Sequence, residues 1–291
     1  MAIHNRMMYF GTRGYMQWVP ACAVNPDFSK VGWSSQMQYL NGGVGVRSSS
    51  GSHKEYQMTW NSHSRDALRP ISDYADGMYD TATGVNLLYF LDPVAMDKNV
   101  LPYLWSVPSQ GISDGLTLTP GQDPTAVLTP TNSLGYPARS AVYKANLSSS
   151  TVWIPIPAGY TLWLGAHGSA TGGAGVVATP TSGTASLTPQ PLTMLSVTST
   201  TRFNKSIDST VGDGVILSLA NLGSLSTATV TLSGLMAQVL PTGVTPASGG
   251  FISGQGNSGC QFADKPTQTP RSAALDKIGM TARLIETGAW L

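Results

Sequence analysis

The stretch "GQGNSGC" at residues 254–260 sets Gly254, Gly256 and Gly259 at the spacing of a dinucleotide-binding loop and follows them with a cysteine. Such a loop holds a pyrophosphate only where its glycines lead from a buried strand into a helix whose first N–H groups face the anion. Neither flank fits. Upstream, "PTGVTPASGG" reads as loop; downstream, "CQFADKPTQTP" reaches Pro266 and Pro270 before a helix could complete three turns. Cys260 as a nucleophile would need a histidine or a cation to lower its pKa, and none is near in sequence. The stretch is therefore expected to be a mobile surface loop, and no cofactor is expected.

Other chemistry finds equally little support. The G-x-S-x-G elbow of serine hydrolases does not occur. His53 and His63 are separated by nine residues, a spacing that neither a helix face nor a zinc motif uses. Glu55 and Glu286 are the two glutamates, and a facing acid pair cannot be placed from sequence. Asp73, Asp76 and Asp80 in "SDYADGMYD" miss the alternation of a calcium loop, so a solvated turn without metal is expected. Trp153, Tyr160, Trp163 and His167 could stack on sugar rings, because an aromatic face offers apolar area to the C–H side of a pyranose. They form the one candidate binding set, for glycan; core packing is the plainer use of such residues.

Composition narrows the classes further. Charged residues are 11% of 291, against about 25% in ordinary soluble domains, and the net charge is +1. No basic field exists for nucleic acid or an acidic membrane. Apolar residues at 41%, with 32 glycines and 19 prolines, suit short strands and turns or subunits covered by neighbours. Cys22 and Cys260 make no disulfide framework and are expected to be reduced. The start "MAIHNRMMYFG" has no apolar signal region, and no apolar run approaches the length of a membrane span.

Charge is unevenly spread along the chain. Residues 1–115 hold 17 of the 31 charges and 264–291 hold seven, whereas Arg202, Lys205, Asp208 and Asp213 are all that lie between Lys144 and Asp264. A shift that starts and then reverses predicts an inserted domain over 116–245, with 1–115 and 246–291 forming one discontinuous domain. Both read as all-β with few short helices. In the outer part "KVGWSSQMQYL" (30–40) and "KEYQMTW" (54–60) read as neighbouring strands joined through a loop, "GVNLLYFL" (84–91) as a central strand and "MTARLIETGAWL" as a closing strand. Asp92-Pro93 opens a helix, and 64–80 holds one or two short turns. In the insert "GVILSLA" (214–220) and "TATVTL" (227–232) read as strands. Pro155 and Pro157 put "TVWIPIP" at a sheet edge, and 168–191 reads as low-complexity loop with one short strand. Six to eight strands in about 130 residues predict a β-sandwich or jelly roll.

The blocks "MYFGTRGYMQWVPA", "LRPISDYADGMYD…GVNLLYFLDPVAMDKNVLPYLW" and "FISGQGNSGCQF…PTQTPRSAALDKIGMTARLIETGAWL" resemble minor tail proteins of long-tailed (siphovirus) phages that infect actinobacteria, above all the distal tail protein. The insert resembles the carbohydrate-binding jelly rolls that such proteins carry. The resemblance implies a β-sandwich belt domain in a homo-oligomeric ring, expected to be a hexamer, that joins the tail tube to the tail-tip hub and surrounds the tape-measure protein. It also implies a virion location, assembly in the host cytoplasm, no catalytic residues, and an appendage that touches host cell-surface glycan. The alternatives are a glycan-binding adhesion protein of the tail tip and, third, a cell-wall depolymerase.

Overall fold

The computed structural model describes residues 7–22, 27–31, 34–38, 44–48, 53–80, 87–107, 125–128, 139–144, 151–196, 199, 201–221, 229–247 and 249–287. The expected domain boundary at 115/116 and the first residues of the 84–91 strand lie outside the described residues.

The chain is all-β. It opens with β1 (Met7–Thr12), β2 (Tyr15–Pro20), β3 (Asp27–Val31), β4 (Ser34–Gln38), β5 (Val44–Ser48) and β6 (His53–Ser64), followed by helix α1 (Arg65–Ala75), β7 (Leu88–Leu91) and the one-turn helices α2 (Pro93–Met96) and α3 (Tyr103–Ser106). Next come β8 (Thr125–Leu128), β9 (Arg139–Lys144), β10 (Thr151–Pro155), β11 (Tyr160–Ala170), β12 (Ala174–Ser182), β13 (Ala185–Ser186) and β14 (Gln190–Pro191). The last are β15 (Lys205–Asp208), β16 (Gly214–Asn221), β17 (Thr229–Pro241), β18 (Cys260–Phe262), β19 (Thr267–Ser272) and β20 (Lys277–Glu286).

Strands from the two ends of the chain share one antiparallel sheet, in the order β2-β1-β7-β18-β20-β6-β3, with β19 added on β20. Period-two patterning explains its strands: Tyr56, Met58 and Trp60 on β6 are buried and alternate with exposed Gln57 and Thr59, as Met280, Ala282 and Leu284 do on β20. These side chains, with Met8 and Phe10, close on Leu68, Ile71 and Tyr74 of α1. Each large apolar side chain so buried contributes about 1.5–3 kcal/mol. Strands between residues 125 and 241 form two five-stranded sheets, β10-β16-β12-β13 with β14 on β12, and β15-β11-β17-β9-β8. Ile154, Val176 and Leu217 of one share a core with Leu162, Leu164, Leu232 and Val239 of the other. Leu91, Met96, Val100, Leu101 and Trp105 join that second core, so the segment after β7 packs with the sheets that follow it.

Several local expectations change. Residues 34–38 pair with 44–48 in a separate hairpin, and it is 27–31 that lies beside β6; the expected loop at 41–53 thus holds a strand. Helix α1 runs eleven residues despite Pro70, because the Ser64 hydroxyl accepts from the Ala67 N–H and the Leu68, Ile71 and Tyr74 stripe is buried. The expected low-complexity loop at 168–191 contains β12, nine residues long and interior to its sheet, with Val176, Val177, Ala178 and Thr181 all buried. Strand β10 does stand at a sheet edge, where its terminal Pro155 removes no ladder hydrogen bond.

Candidate functional site

The four candidate glycan residues do not share a surface. Trp153 on β10 is buried, donates from Nε1 to Thr181 Oγ1 at 3.1 Å and meets the Tyr89 ring edge-on at 4.7 Å. Tyr160 is buried against Trp18 of the terminal-segment sheet, with ring centroids 5.7 Å apart. His167 is fully buried, and its Nε2 lies 3.0 Å from the Thr201 carbonyl oxygen. A carbonyl only accepts, so Nε2 carries the proton and donates. Burial lowers the His167 pKa, opposed in part by the carbonyl partners Thr201 and Ser196. These three side chains serve the core and its joint with the first sheet.

Trp163 is the exception. It points away from Leu162 and Leu164, opposite Ser206 on β15 and Gln238 on β17, and is half-buried in a cleft of about 240 Å³. Residues 201–203 form one wall. They press onto β11 because Gly165 leaves room: a Cβ there would stand 1.8 Å from the Arg202 carbonyl oxygen. Pro246, Ala247 and Gly249 form the other wall, tied across by Arg202 Nη1 donating to the Ala247 carbonyl at 3.2 Å. The Arg202 guanidinium lies over the Phe203 ring, 5.2 Å from its centroid. Half-buried rings, a proline and a guanidinium held in place suit a ring-shaped, hydroxylated or anionic ligand. Trp163 is the one member of this cleft among the residues singled out from sequence; Arg202, Phe203 and Pro246 are not among them. Their signal was Arg202 itself, one of four charges between Lys144 and Asp264.

The glycine-rich stretch is neither mobile surface nor phosphate cradle. Asn257, Ser258 and Cys260 are buried, and the backbone runs against 99–106: Gln255 N donates to Asn99 O and Gly256 N to Leu101 O, each at 2.9 Å. Gly254 N donates to Ser106 Oγ at 2.6 Å. A Cβ on Gly254 would meet Leu101 O at 2.1 Å and one on Gly256 would meet Val100 O at 1.7 Å, so the glycines serve close approach. Only Gly259, at φ +109, also needs the left-handed region. The buried Glu286 carboxylate accepts from Ser258 N at 2.7 Å and Ser258 Oγ at 3.0 Å, and Lys54 Nζ donates to Gly256 O at 3.4 Å. The stretch thus links β17 of the central sheets to β18 of the terminal-segment sheet.

Both cysteines are held toward the thiol form. Burial and then the Glu286 charge push the Cys260 thiol far up, while burial and Asp92 push Cys22 up to about 12. Burial and the Lys277 charge lower the His63 pKa; the side chain of His53 lies outside the described residues. Asp76 caps the end of α1 and pairs with Lys265 at 2.9 Å. Among the described residues no three of His, Cys, Asp or Glu stand together as a metal site, and no helix is long and apolar enough to cross a membrane. No protein-family model, curated protein or solved structure matches this chain.

Proposed function

We propose that this chain is a structural virion protein of a phage tail tip, whose working form is a ring joining the tail tube to the tail-tip hub around the tape-measure protein. In this reading the terminal segments, 1–115 with 246–291, make the ring-forming belt and 116–245 an inserted sandwich that projects from it. The observation that carries it is where large apolar side chains remain exposed. The three most exposed among the described residues, Tyr15 at 55%, Met78 at 67% and Leu275 at 66%, lie on the terminal segments, while Leu187, Val211 and Val244, at 39–46%, lie on the insert. Such side chains, on a chain with 11% charge, suit subunits that cover one another. The resemblance in the blocks around Tyr15, Met78 and Leu275 points the same way. Reconstruction of the virion tail tip tests the proposal: six copies are expected in the ring below the tube, and finding the chain only in peripheral fibres, or absent, rejects it.

A second reading, host-surface glycan binding by the insert, is favoured by the Trp163–Arg202–Phe203 cleft. Saturation-transfer NMR of the full chain with neutral and acidic monosaccharides tests it. Transfer to sugar ring protons that is lost in Trp163→Ala supports this reading, and no transfer at millimolar sugar rejects it. Depolymerase activity, the third reading, is favoured by no arrangement among the described residues.

A further inference from the structure

An amine, a buried carboxylate and a buried side-chain amide converge at one end of the terminal-segment sheet. The register of β6 on β20 reaches Glu55 opposite Ile285, which sets Lys54 beside Glu286 on the face that also carries buried Tyr56 and Leu284. On the other side of β20 the residues leading into β18 bind the carboxylate. Glu286 Oε1 accepts from Ser258 N at 2.7 Å and from Ser258 Oγ at 3.0 Å, and Thr287 N donates to Gly259 O at 2.9 Å, so pairing continues past the start of β18. Lys54 Nζ reaches across to the same residues and donates at 3.4 Å to Gly256 O, the carbonyl of the peptide bond that leads into Asn257. Burial and then the Glu286 charge raise the Cys260 pKa while the Lys54 charge opposes them, so both charges stand close to that thiol.

Asn257 is buried, and its Nδ2 donates to Phe90 O at 2.9 Å. Its Oδ1 has no hydrogen-bond partner among the described residues, and neither has Glu286 Oε2, although Glu286 is only 2% exposed. An oxygen buried without a donor is costly, so each needs a physical account. Side chains of β6 do reach those of β7 over the two strands between: Tyr56 meets Phe90 edge-on, 4.9 Å between ring centroids. From β6 to the line of β18 is two strand spacings, about 10 Å, which the four-carbon stem of a lysine and the methylene of an asparagine together span.

We propose that Lys54 and Asn257 join in an intramolecular isopeptide bond, with Glu286 as the proton carrier. Lys54 Nζ gives one proton to Glu286 Oε2 and attacks Asn257 Cγ with the lone pair so freed. The Nζ–Cγ bond forms, a second Nζ proton passes to Nδ2, and the Cγ–Nδ2 bond breaks. Ammonia leaves and takes the proton held by Glu286, departing as ammonium. One hydrogen remains on Nζ, and this new amide N–H supplies the donor that Glu286 Oε2 lacks. No oxidant or cofactor enters the balance. The bond would tie strand β6, near the start of the chain, to the residues that lead into β18 near its end, and it stands or falls independently of the tail reading.

Mass spectrometry of the full chain, denatured and digested, tests it. The intact mass is expected about 17 Da below that of the sequence, one ammonia, and digestion should give a branched peptide joining residues 54 and 257. Lys54→Met and Asn257→Ala should each lose both signals. Glu286→Gln keeps the shape of the side chain without its proton transfer; with circular dichroism matching the parent, its linked fraction should be at least tenfold lower. A parent digest without the branched peptide overturns the proposal, and so does an ammonia loss traced to a cyclic imide at Asn257. A folded Glu286→Gln chain linked to the parental extent overturns the part given to Glu286. The parent's peptide map decides the bond whether or not the variants fold.

Discussion

Asn99 and Ala237 are joined as neighbours in a sheet would be. The Ala237 N–H donates to Asn99 Oδ1 at 3.0 Å, and Nδ2 of the same side-chain amide donates to the Leu235 carbonyl at 3.2 Å, so the amide replaces a peptide group along the edge of β17. Nδ2 also donates to Ile252 O at 2.8 Å, Oδ1 accepts from Leu101 N at 3.2 Å, and Val100 N continues the pairing to Ala237 O at 2.9 Å. One fully buried side chain thereby fastens three segments that are distant in sequence. Asn99→Leu keeps the volume and strands two N–H groups and two carbonyls. It should lower stability by about 3 kcal/mol, seen as a drop in the urea midpoint with an unchanged slope.

Gly256 makes a steric prediction that separates close approach from turn formation. Gly256→Ala should destabilise by about 3 kcal/mol or more, because the new methyl would overlap the Val100 carbonyl, which is itself held in packed structure. Gly175 on β12 has nothing within 4 Å of the same position and no positive φ, so Gly175→Ala should fall within about 1 kcal/mol of the parent. Thermal melts of the two variants give the comparison; equal effects would remove the close-approach account.

What could be read in advance follows from which physical signals are local. Strands β16 and β20, and the first residues of β17, announce themselves because buried and less buried residues alternate there and the period of two survives in the sequence; from Leu232 to Leu240 β17 is buried on both faces. Strand β12 hides because it is buried on both faces and built from glycine, alanine, valine and threonine, which leaves no alternation to see. Residues 254–259 mislead for a related reason: glycine marks both a free turn and a backbone pressed against another backbone, and only the partner at 99–106 tells them apart. Asn99 gives no signal at all, since a buried amide and a surface amide are spelled alike. At the candidate site, Trp163 was legible as an aromatic on a strand, whereas its wall at 246–249 is set by a tertiary tie through Arg202.

His167 should make stability fall with acid. Its folded-state pKa lies below the ordinary 6.5, chiefly through burial, so the unfolded chain binds the proton more tightly than the folded one. Stability is then full above about pH 6.5 and is lost as the pH falls from there toward the lowered folded value. His63 shifts in the same direction through burial and Lys277. The difference in urea midpoint between pH 7.5 and pH 5 should shrink in His167→Gln, whatever the variant's absolute stability. An unchanged difference would assign the acid sensitivity elsewhere.

The cysteines give a test of the joint between the sheets. Cys260 begins β18, opposite Glu286 on β20 and Leu88 on β7, and is fully buried; Cys22 is half-buried against the same core. Both thiols are raised well above the ordinary range, so thiolate is scarce at pH 8 and access to Cys260 requires opening of the sheet. Alkylation of the native chain, followed by mass spectrometry, should leave Cys260 unmodified over hours and Cys22 slow, with both reacting at once in denaturant. In Asn99→Leu, whose central sheets are loosened from 252–256, Cys260 should become reactive sooner than Cys22, because the segment leading into β18 loses its anchor first. Equal acceleration at both positions would mean that the chain opens globally. Rapid native labelling of Cys260 in the parent protein would contradict the buried placement of β18 itself.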